Sequence, residues 1–463
     1  MLLRVFTLVG LSFLALRGQA NDVQPNIVII LADDLGWSDL ACYGNQFNES
    51  PHLDRLANDG IRFTQFYAGP VCSPTRANLQ SGQDQARFGI TQHIPGHRRP
   101  FARLVDPVVT NQLPLEVETF AESLSTAGYK TGYFGKWHLG GEGFGPSQQG
   151  WGTAIELRGH TVPPNIGKRN QPQRTADFLA DQAIEFMSAH RDRPFLLQLS
   201  HIAVHIPLSV TESHLERFRV KPPVDGYPNR PEYAALISEL DESVGRVVNE
   251  IDRLGLAEKT LILFVSDNGG LEHEQNGTVV TSNAPLRNEK GSLYEGGVRV
   301  PAIARWRGTI PAKAVCDLPL STVDIHATVR EIAGAKLGRE DQPVDGISFA
   351  DVLRDPALSR SERALYWHLP HYHHSTPGSS IRVGDWKLIE FFEDGSIELY
   401  DLGEDVSEQN NLAAAHPEIA ARLKRQLTQW RQNVGAQMPV PNPNYDETRA
   451  GELRKPAKSA TRE

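Results

Sequence analysis

The sequence predicts an α/β sheet with helices on both faces, followed by a smaller C-terminal α+β domain. Two observations predict it. Apolar strands and amphipathic helices alternate from Asn26 to Val265, the pattern of a largely parallel sheet. After about Ala335 the texture changes to short strands separated by Gly- and Asp-containing turns, the pattern of an antiparallel meander.

The elements follow in order. Asn26 to Ala32, N-I-V-I-I-L-A, is a continuous β-branched run, as expected of a central strand covered on both faces, and it ends in Asp33-Asp34. Pro51 opens a helix carrying Leu53, Leu56 and Ala57 that stops at Gly60, and Ile61 to Phe66 returns as a strand. Pro74 suits a first helical position and Gly82 its far end, which sets Cys72 just ahead of a positive helix N-terminus. Thr119 and Glu122 form a capping box for a helix ending at Gly128, and Lys130 to Phe134 runs as a strand into Lys136 and His138. A helix from Thr175 to about His190 precedes the strand Phe195 to Leu199, which delivers His201 and His205. Tyr233 to Ile251 is a long amphipathic helix, and the strand Thr260 to Val265 ends in Asp267-Asn268. Beyond Ala335, the strands are Ala364 to His368, Ser380 to Val383, Trp386 to Phe391 and Ile397 to Tyr400, and Pro417 opens a terminal helix. From about Gly435 the chain, rich in Pro and charge, reads as an extended, surface-tracking or disordered tail.

Residues 1–20 read as a signal peptide: Arg4, an apolar run from Val5 to Leu16, then Gly18-Gln19-Ala20. The expected division is therefore a leader over 1–20, a catalytic domain over 21–335, a C-terminal subdomain over 336–434 and a tail over 435–463. Loss of Arg4 and Arg17 with the leader moves the formal charge from −9 to −11, which disfavours a nucleic-acid partner. No later stretch is apolar enough to span a bilayer. Cys42, Cys72 and Cys316 are too few for a disulfide scaffold, and separate buried thiols are expected at Cys42 and Cys316 rather than a bridge between them.

In an open α/β sheet, ligands bind at the C-terminal strand ends. Four apolar strands here hand over to polar groups at that edge. Asp33, Asp34, Asp267 and Asn268 supply hard oxygen donors suited to Ca²⁺ or Mg²⁺ and poor for zinc, and Ca²⁺ is favoured because a larger ion tolerates a crowded all-oxygen site.

The word Cys72-Ser73-Pro74-Thr75-Arg76 resembles the active-site signature C-x-P-x-R of the formylglycine-dependent sulfatases. Gly128 to Gly140, with Gly135-Lys136-Trp137-His138 at its core, is similar to the family's second signature, with Phe134 where a small aliphatic residue is usual. Leu79-Gln80-Ser81-Gly82 departs from the usual apolar pair followed by Thr-Gly. The resemblance runs through five separated motifs from Asn26 to about Asp324 in the same order.

What the resemblance implies is an alkaline-phosphatase-like mixed sheet and an exported, periplasmic or secreted, calcium-dependent sulfatase. Its substrate would be a sulfated carbohydrate or other sulfate ester, and its partner a formylglycine-generating maturase. Cys72 becomes the nucleophile by oxidation to formylglycine, anchored by Arg76. Asp33, Asp34, Asp267 and Asn268 hold the metal, with the modified Cys72 completing the sphere. Lys136 and Lys290 bind sulfate oxygens, and one of them or His205 protonates the leaving alkoxide. His138 acts as base on the intermediate, and Asp267 takes the proton of the attacking hydroxyl.

His93, His97, Arg98 and Arg99, in a basic loop, are candidate contacts to the sugar or its anionic groups, as is His371 in the tract His371-Tyr372-His373-His374. That tract also fits a metal-binding or plain loop. His201, four residues before His205 and closer to the strand end, reads as a support behind the site or as structural. Two rival functions remain open on sequence: a phosphoric or phosphonate monoester hydrolase on the same scaffold, and a glycan-binding protein whose Cys72 is never modified.

Overall fold

The computed structural model describes residues 24–166, 173–275 and 277–454; the leader over 1–20 lies outside them. The large sheet runs Ala314–Cys316, Ile61–Tyr67, Arg299–Arg305, Thr260–Ser266, Asn26–Ala32, Phe195–Ser200, Lys130–Gly135, Thr153–Glu156. Asn26–Ala32 is central and parallel to both neighbours, with Ile27 opposite Leu196 on one side and Leu261 on the other. Arg299–Arg305 is antiparallel to the strands beside it, so the sheet is mixed.

All seven residues of the central strand are buried. Ile27, Ile29 and Leu31 pack with Ala77, Leu79, Phe120, Leu124, Ile325 and Val329 on one face. Val28, Ile30 and Ala32 face the opposite core of Leu53, Leu56, Leu179, Leu236, Leu240 and Val244. The alternation is the period-two geometry of a strand, and it explains why an unbroken apolar run was needed.

The helix at Cys72 begins one turn-fragment earlier than the proline predicts: it spans Cys72–Ser81, with Val71 as cap and Gly82 at φ 67° beyond it. The Val71 carbonyl accepts from both the N–H and the Oγ1–H of Thr75, which draws Cys72 into the first turn. Pro74 is tolerated because the first four helical N–H groups have no intrahelical acceptor. The Thr119/Glu122 capping box forms as expected, with bonds of 3.2 and 2.8 Å. Gln80, where the resemblance departs, is buried between Gln198 and Trp151, which satisfy its amide at 2.8 and 3.3 Å. Phe134 packs edge-on against Phe186.

The C-terminal strands Ala364–Leu369, Gly378–Val383, Trp386–Phe391 and Ile397–Asp401 form the antiparallel meander in sequence order. One face carries the Pro417–Asn433 helix through Ala420, Leu423 and Leu427. The other joins Trp367, Leu369 and Ile389 to Tyr67, Leu293 and Val298 of the large domain. Phe349, Val352 and Leu353, beyond the expected boundary at 335, pack into the large core. The tail tracks the surface: Val440–Pro441 pairs with Leu104–Val105, and Arg454 bridges to Arg98. The three cysteines are free thiols, and Cys42 is partly exposed where burial was expected, while Cys316 is buried. Among the described residues no helix is long and apolar enough to cross a membrane.

Candidate active site

Five parallel strands end at one edge of the sheet and deliver Asp33 and Asp34, Cys72, Lys136 and His138, His201 and His205, and Asp267. Lys290 arrives differently. It precedes the antiparallel strand Arg299–Arg305, whose N-terminal end meets the same edge.

At the floor of the site the Cys72 thiol, 1% exposed, lies 3.4 Å from Asp33 Oδ1 and 3.7 Å from Asp34 Oδ1, and Lys290 Nζ donates to it at 3.3 Å. Lys290 Nζ also donates to Asp34 Oδ1 at 2.6 Å, and Lys136 Nζ to Asp33 Oδ2 at 2.5 Å. Arg76, one turn after Cys72, donates Nε–H and Nη2–H to Asp267 Oδ2 at 3.0 and 2.7 Å and Nη1–H to the Lys136 carbonyl at 2.6 Å. Its role is to lock the strand ends together rather than to line the cavity.

Three carboxylates thus face three cations: Asp33, Asp34 and Asp267 against Arg76, Lys136 and Lys290. Burial pushes Asp33 and Asp34 up, but Lys136, His205, Arg76 and Lys290 hold Asp33 well below its ordinary value, and Lys290 and His205 hold Asp34 low. Asp267 has the reverse balance: burial and the charge of Asp33 raise it to about 6 despite Arg76. Burial raises the Cys72 thiol, so as an unmodified cysteine it is no thiolate nucleophile at neutral pH.

The donor set fits a hard divalent ion. Asp34 Oδ2 and Asn268 Oδ1 are buried with no hydrogen-bond partner, the Asn268 amide nitrogen donating to Asp34 Oδ1 at 2.8 Å, and such orphans are costly unless something occupies them. Asp33, Asp34, Cys72 and His205 each bring one potential ligand atom within 4.8 Å of the others. The backbone is committed to the arrangement too: Asp34 and His138 sit in the left-handed region, at φ 64° and 61°, a conformation that costs free energy in non-glycine residues and concentrates at functional sites.

Above the floor opens a cavity of about 940 Å³ lined by Asp33, Cys72, Lys136, His138, His205 and Lys290 among others. His138 Nε2–H donates to the Ile94 carbonyl at 2.6 Å, so Nδ1 carries the lone pair, and that nitrogen is buried without a partner. Burial, Lys136 and Arg76 drive its pKa well below the ordinary value. His205 Nδ1–H is tied to the Ile206 carbonyl, leaving Nε2 3.7 Å from Asp34 Oδ2. His201 is buried with both nitrogens unpartnered, consistent with a structural role.

The sulfatase family profile matches residues 25–335. The chain belongs to the sulfatase family. Residues 288–433 match a second profile, N-sulphoglucosamine sulphohydrolase, C-terminal. The chain is 32% identical to a sulfatase of Formosa agariphila, over 88% of each chain, and 33% identical to arylsulfatase A of Homo sapiens, again over 88% of each. Among solved structures, that of Ps i-CgsB in complex with k-i-k-neocarrahexaose aligns at TM-score 0.76 and 25% identity, covering 92% of this chain and 96% of that one. Phosphonate monoester hydrolase of Agrobacterium radiobacter, at 19% identity and TM-score 0.66, shares the alkaline-phosphatase-like fold. This sulfatase is accordingly a sulfuric ester hydrolase, of a family that uses a metal ion and formylglycine.

The expected sugar contacts divide. His93 lines the sulfatase cavity. Arg98, Arg99, His97 and His371 do not; they line a neighbouring cavity of about 550 Å³ with Asp106. His371 is 1% exposed and shares a 2.8 Å hydrogen bond with Thr91 Oγ1, so it cannot overhang the substrate. Arg99 is turned away by its bond to the His373 carbonyl and by Tyr372, over whose ring it lies. His160, His273, Arg158, His373 and His374 line the active cavity. Of these, His373 and His374 lay in the histidine tract, but nothing in the local sequence marks His160, which supports the His205 loop by donating Nε2–H to the His205 carbonyl at 2.7 Å.

Proposed function

We propose that this sulfatase is an exported enzyme that hydrolyses sulfate esters of a carbohydrate, with Cys72 oxidised to formylglycine and Ca²⁺ held by Asp33, Asp34, Asp267 and Asn268. The observation that carries the reading is the enclosure of the Cys72 side chain by two aspartates and a lysine at 3.3 to 3.7 Å on the cavity floor. A cysteine with no thiolate character, set among metal-type donors, makes sense as a precursor. Export rests on Arg4 and the apolar run from Val5 to Leu16. The sugar rests on the k-i-k-neocarrahexaose in complex with a 25%-identical neighbour and on a cavity lined by hydrogen-bonding His, Arg and Glu side chains.

When present, the hydrated aldehyde supplies a hydroxyl nucleophile for sulfur, and the cation supplies Lewis-acid stabilisation of the sulfuryl oxygens. The chain's own residues do the rest. Lys136 and Lys290 hold fixed positive charge at the cavity floor, where charge gathers on the sulfuryl oxygens in the transition state. With the three carboxylates matched by three cations, a divalent ion leaves the pocket net positive and able to take a singly charged sulfate ester out of water. Asp267, held by two Arg76 hydrogen bonds, is the carboxylate that would take the proton of the attacking hydroxyl. His205 Nε2 lies at the cavity beside Asp34; burial holds its pKa below the ordinary imidazole value despite Asp34 and Asp33, so Lys136 and Lys290 share with it the candidacy for protonating the leaving oxygen. His138, neutral with its lone pair on Nδ1, is the base that removes a hydroxyl proton in the second half of the reaction.

The test pairs the mass of the peptide spanning Cys72, after co-expression with a formylglycine-generating enzyme, with sulfate release from an aryl sulfate and a panel of sulfated glycans. Conversion with release supports the proposal. Preference for an aryl phosphate, which carries roughly −1.5 to −2 at pH 7, would favour the phosphohydrolase reading, and confirmed conversion with glycan affinity but no turnover would favour the binding protein.

A further inference from the structure

Three histidines outside the catalytic set meet where the two cavities adjoin. His93 and His97 come from the loop after the Cys72 helix, and His373 from the tract after the Ala364–Leu369 strand. Their rings lie 5.2 to 5.5 Å apart, centre to centre. One nitrogen from each comes within 4.8 Å of the other two. We propose that His93, His97 and His373 form a binding site for one zinc-class divalent ion, separate from the carboxylate site at Cys72.

The surroundings orient the ligands as a metal site requires. His97 Nε2–H donates to the Tyr372 carbonyl at 2.9 Å, which fixes the tautomer and puts the lone pair on Nδ1. A ring N–H bonded to a backbone carbonyl is the outer support that metal-ligating histidines carry. The His97 N–H in turn donates to Gln92 Oε1 at 2.7 Å, and Arg99 Nη2–H to the His373 carbonyl at 3.1 Å, so the two segments are held against each other. His374 Nδ1–H donates to the Lys290 carbonyl at 2.6 Å, so it offers no acceptor to His373 Nδ1, 3.2 Å away, and the His373 ring is not tied down by that contact. His93 has no hydrogen-bond partner among the described residues. Burial holds all three rings below the ordinary imidazole pKa, so their lone pairs are available at neutral pH.

Neutral imidazoles select zinc, copper or nickel over calcium, which takes oxygen ligands. Zn–N bonds of about 2.0–2.1 Å place tetrahedral nitrogens roughly 3.4 Å apart, so small ring rotations close the present spacing. His93 and His373 line the active cavity and His97 the neighbouring one. Three protein ligands leave a fourth position for water or a ligand oxygen at that junction. Lys290 opposes a second cation nearby, but its charge is taken up by Asp34 at 2.6 Å. The inference is independent of whether Cys72 is oxidised.

The experiment is a calorimetric Zn²⁺ titration of chelator-stripped protein returned to saturating Ca²⁺, so that the carboxylate site is filled. One equivalent of Zn²⁺ is expected to bind, weakened at least about 100-fold in His97→Ala and in His373→Ala. Absence of binding, or unchanged affinity in both variants, overturns the site. Melting curves without zinc establish that the variants fold. Co²⁺ in the unmodified sequence provides the check that needs no variant: the intense visible bands of a tetrahedral nitrogen-ligated ion support the proposal, and a weak six-coordinate oxygen-type spectrum refutes it.

Discussion

Two clusters of charge, buried or nearly so, lie in this molecule, and they are built for opposite ends. One joins Asp33, Asp34 and Asp267 to Arg76, Lys136 and Lys290. The other joins Glu295, Lys387 and Glu408, all with side chains 0% exposed, where the C-terminal sheet meets the large domain. In the second, Lys387 Nζ lies 2.8 Å from Glu295 Oε1 and 3.0 Å from Glu408 Oε1, Tyr67 donates to Glu295 Oε2 at 2.7 Å, and the Glu295 N–H donates to Glu408 Oε2 at 2.7 Å. Its two carboxylates are matched by Lys387 and by Arg299, 3.4 Å from Glu295 Oε2, and the side chains of Glu295, Lys387 and Glu408 have no exposed surface. The first leaves Asp34 Oδ2, Asn268 Oδ1 and His138 Nδ1 without partners and opens onto about 940 Å³. Burial and charge are common to both; what separates a site from a joint is unfinished hydrogen bonding facing open space.

The sharpest way to break this comparison is to delete a member of each cluster. Cys72→Ala should lower turnover by on the order of 10⁴-fold or more, with the melting temperature almost unmoved, as read by sulfate release and thermal unfolding; a strongly destabilised variant would mean the thiol is a packing residue. Lys387→Met should do the opposite. It leaves Glu408 without its cation and Glu295 with only Arg299 at 3.4 Å, at a cost of about 3–5 kcal/mol, while kcat/KM per folded molecule stays close to that of the parent. A variant as stable as the parent but inactive would erase the distinction.

Metal removal separates the clusters in another way. Ca²⁺ at about 100 times its Kd should raise stability by roughly 2.7 kcal/mol in the parent and much less in Asp34→Asn, which lacks a charged donor. Lys387→Met should keep the full calcium response. Equal responses in parent and Asp34→Asn, measured by melting with and without chelator, would take the ion away from these carboxylates.

The two clusters also mark what the sequence could disclose. The central strand, the Thr119 capping box and the meander were legible because each depends on neighbours in the chain, and Asp33, Asp34 and Asp267 were legible because strand ends share one edge. Lys290 was accessible only through family resemblance, since it reaches that edge from the start of an antiparallel strand rather than the end of a parallel one. Basic character says nothing about which side of a loop faces which cavity, and His97, Arg98, Arg99 and His371 line the neighbouring cavity rather than the one above Cys72; the tail, pairing Arg454 with Arg98, helps decide that. The Glu295–Lys387–Glu408 cluster left no trace at all, because its members are far apart in the chain and each resembles an ordinary surface charge.

The smallest expected effect concerns Glu408. Burial and the charge of Glu295 raise its carboxyl to about 7 despite Lys387, from an ordinary value of 4.5. A carboxyl raised in the folded state binds its proton more tightly there than in the unfolded chain. Its contribution to stability is therefore complete below about pH 4.5 and is progressively lost as pH rises to about 7. Glu295 and Glu408 share one lysine, so the proton is partly delocalised over the pair and the effect is modest. Glu408→Gln keeps an uncharged acceptor for the Glu295 N–H and cannot ionise. Its melting temperature should fall less steeply than the parent's between those pH values and exceed the parent's above about pH 7. Parallel curves for the two proteins would mean that Glu408 is ionised in the fold throughout this range and that Lys387 outweighs burial and Glu295 there.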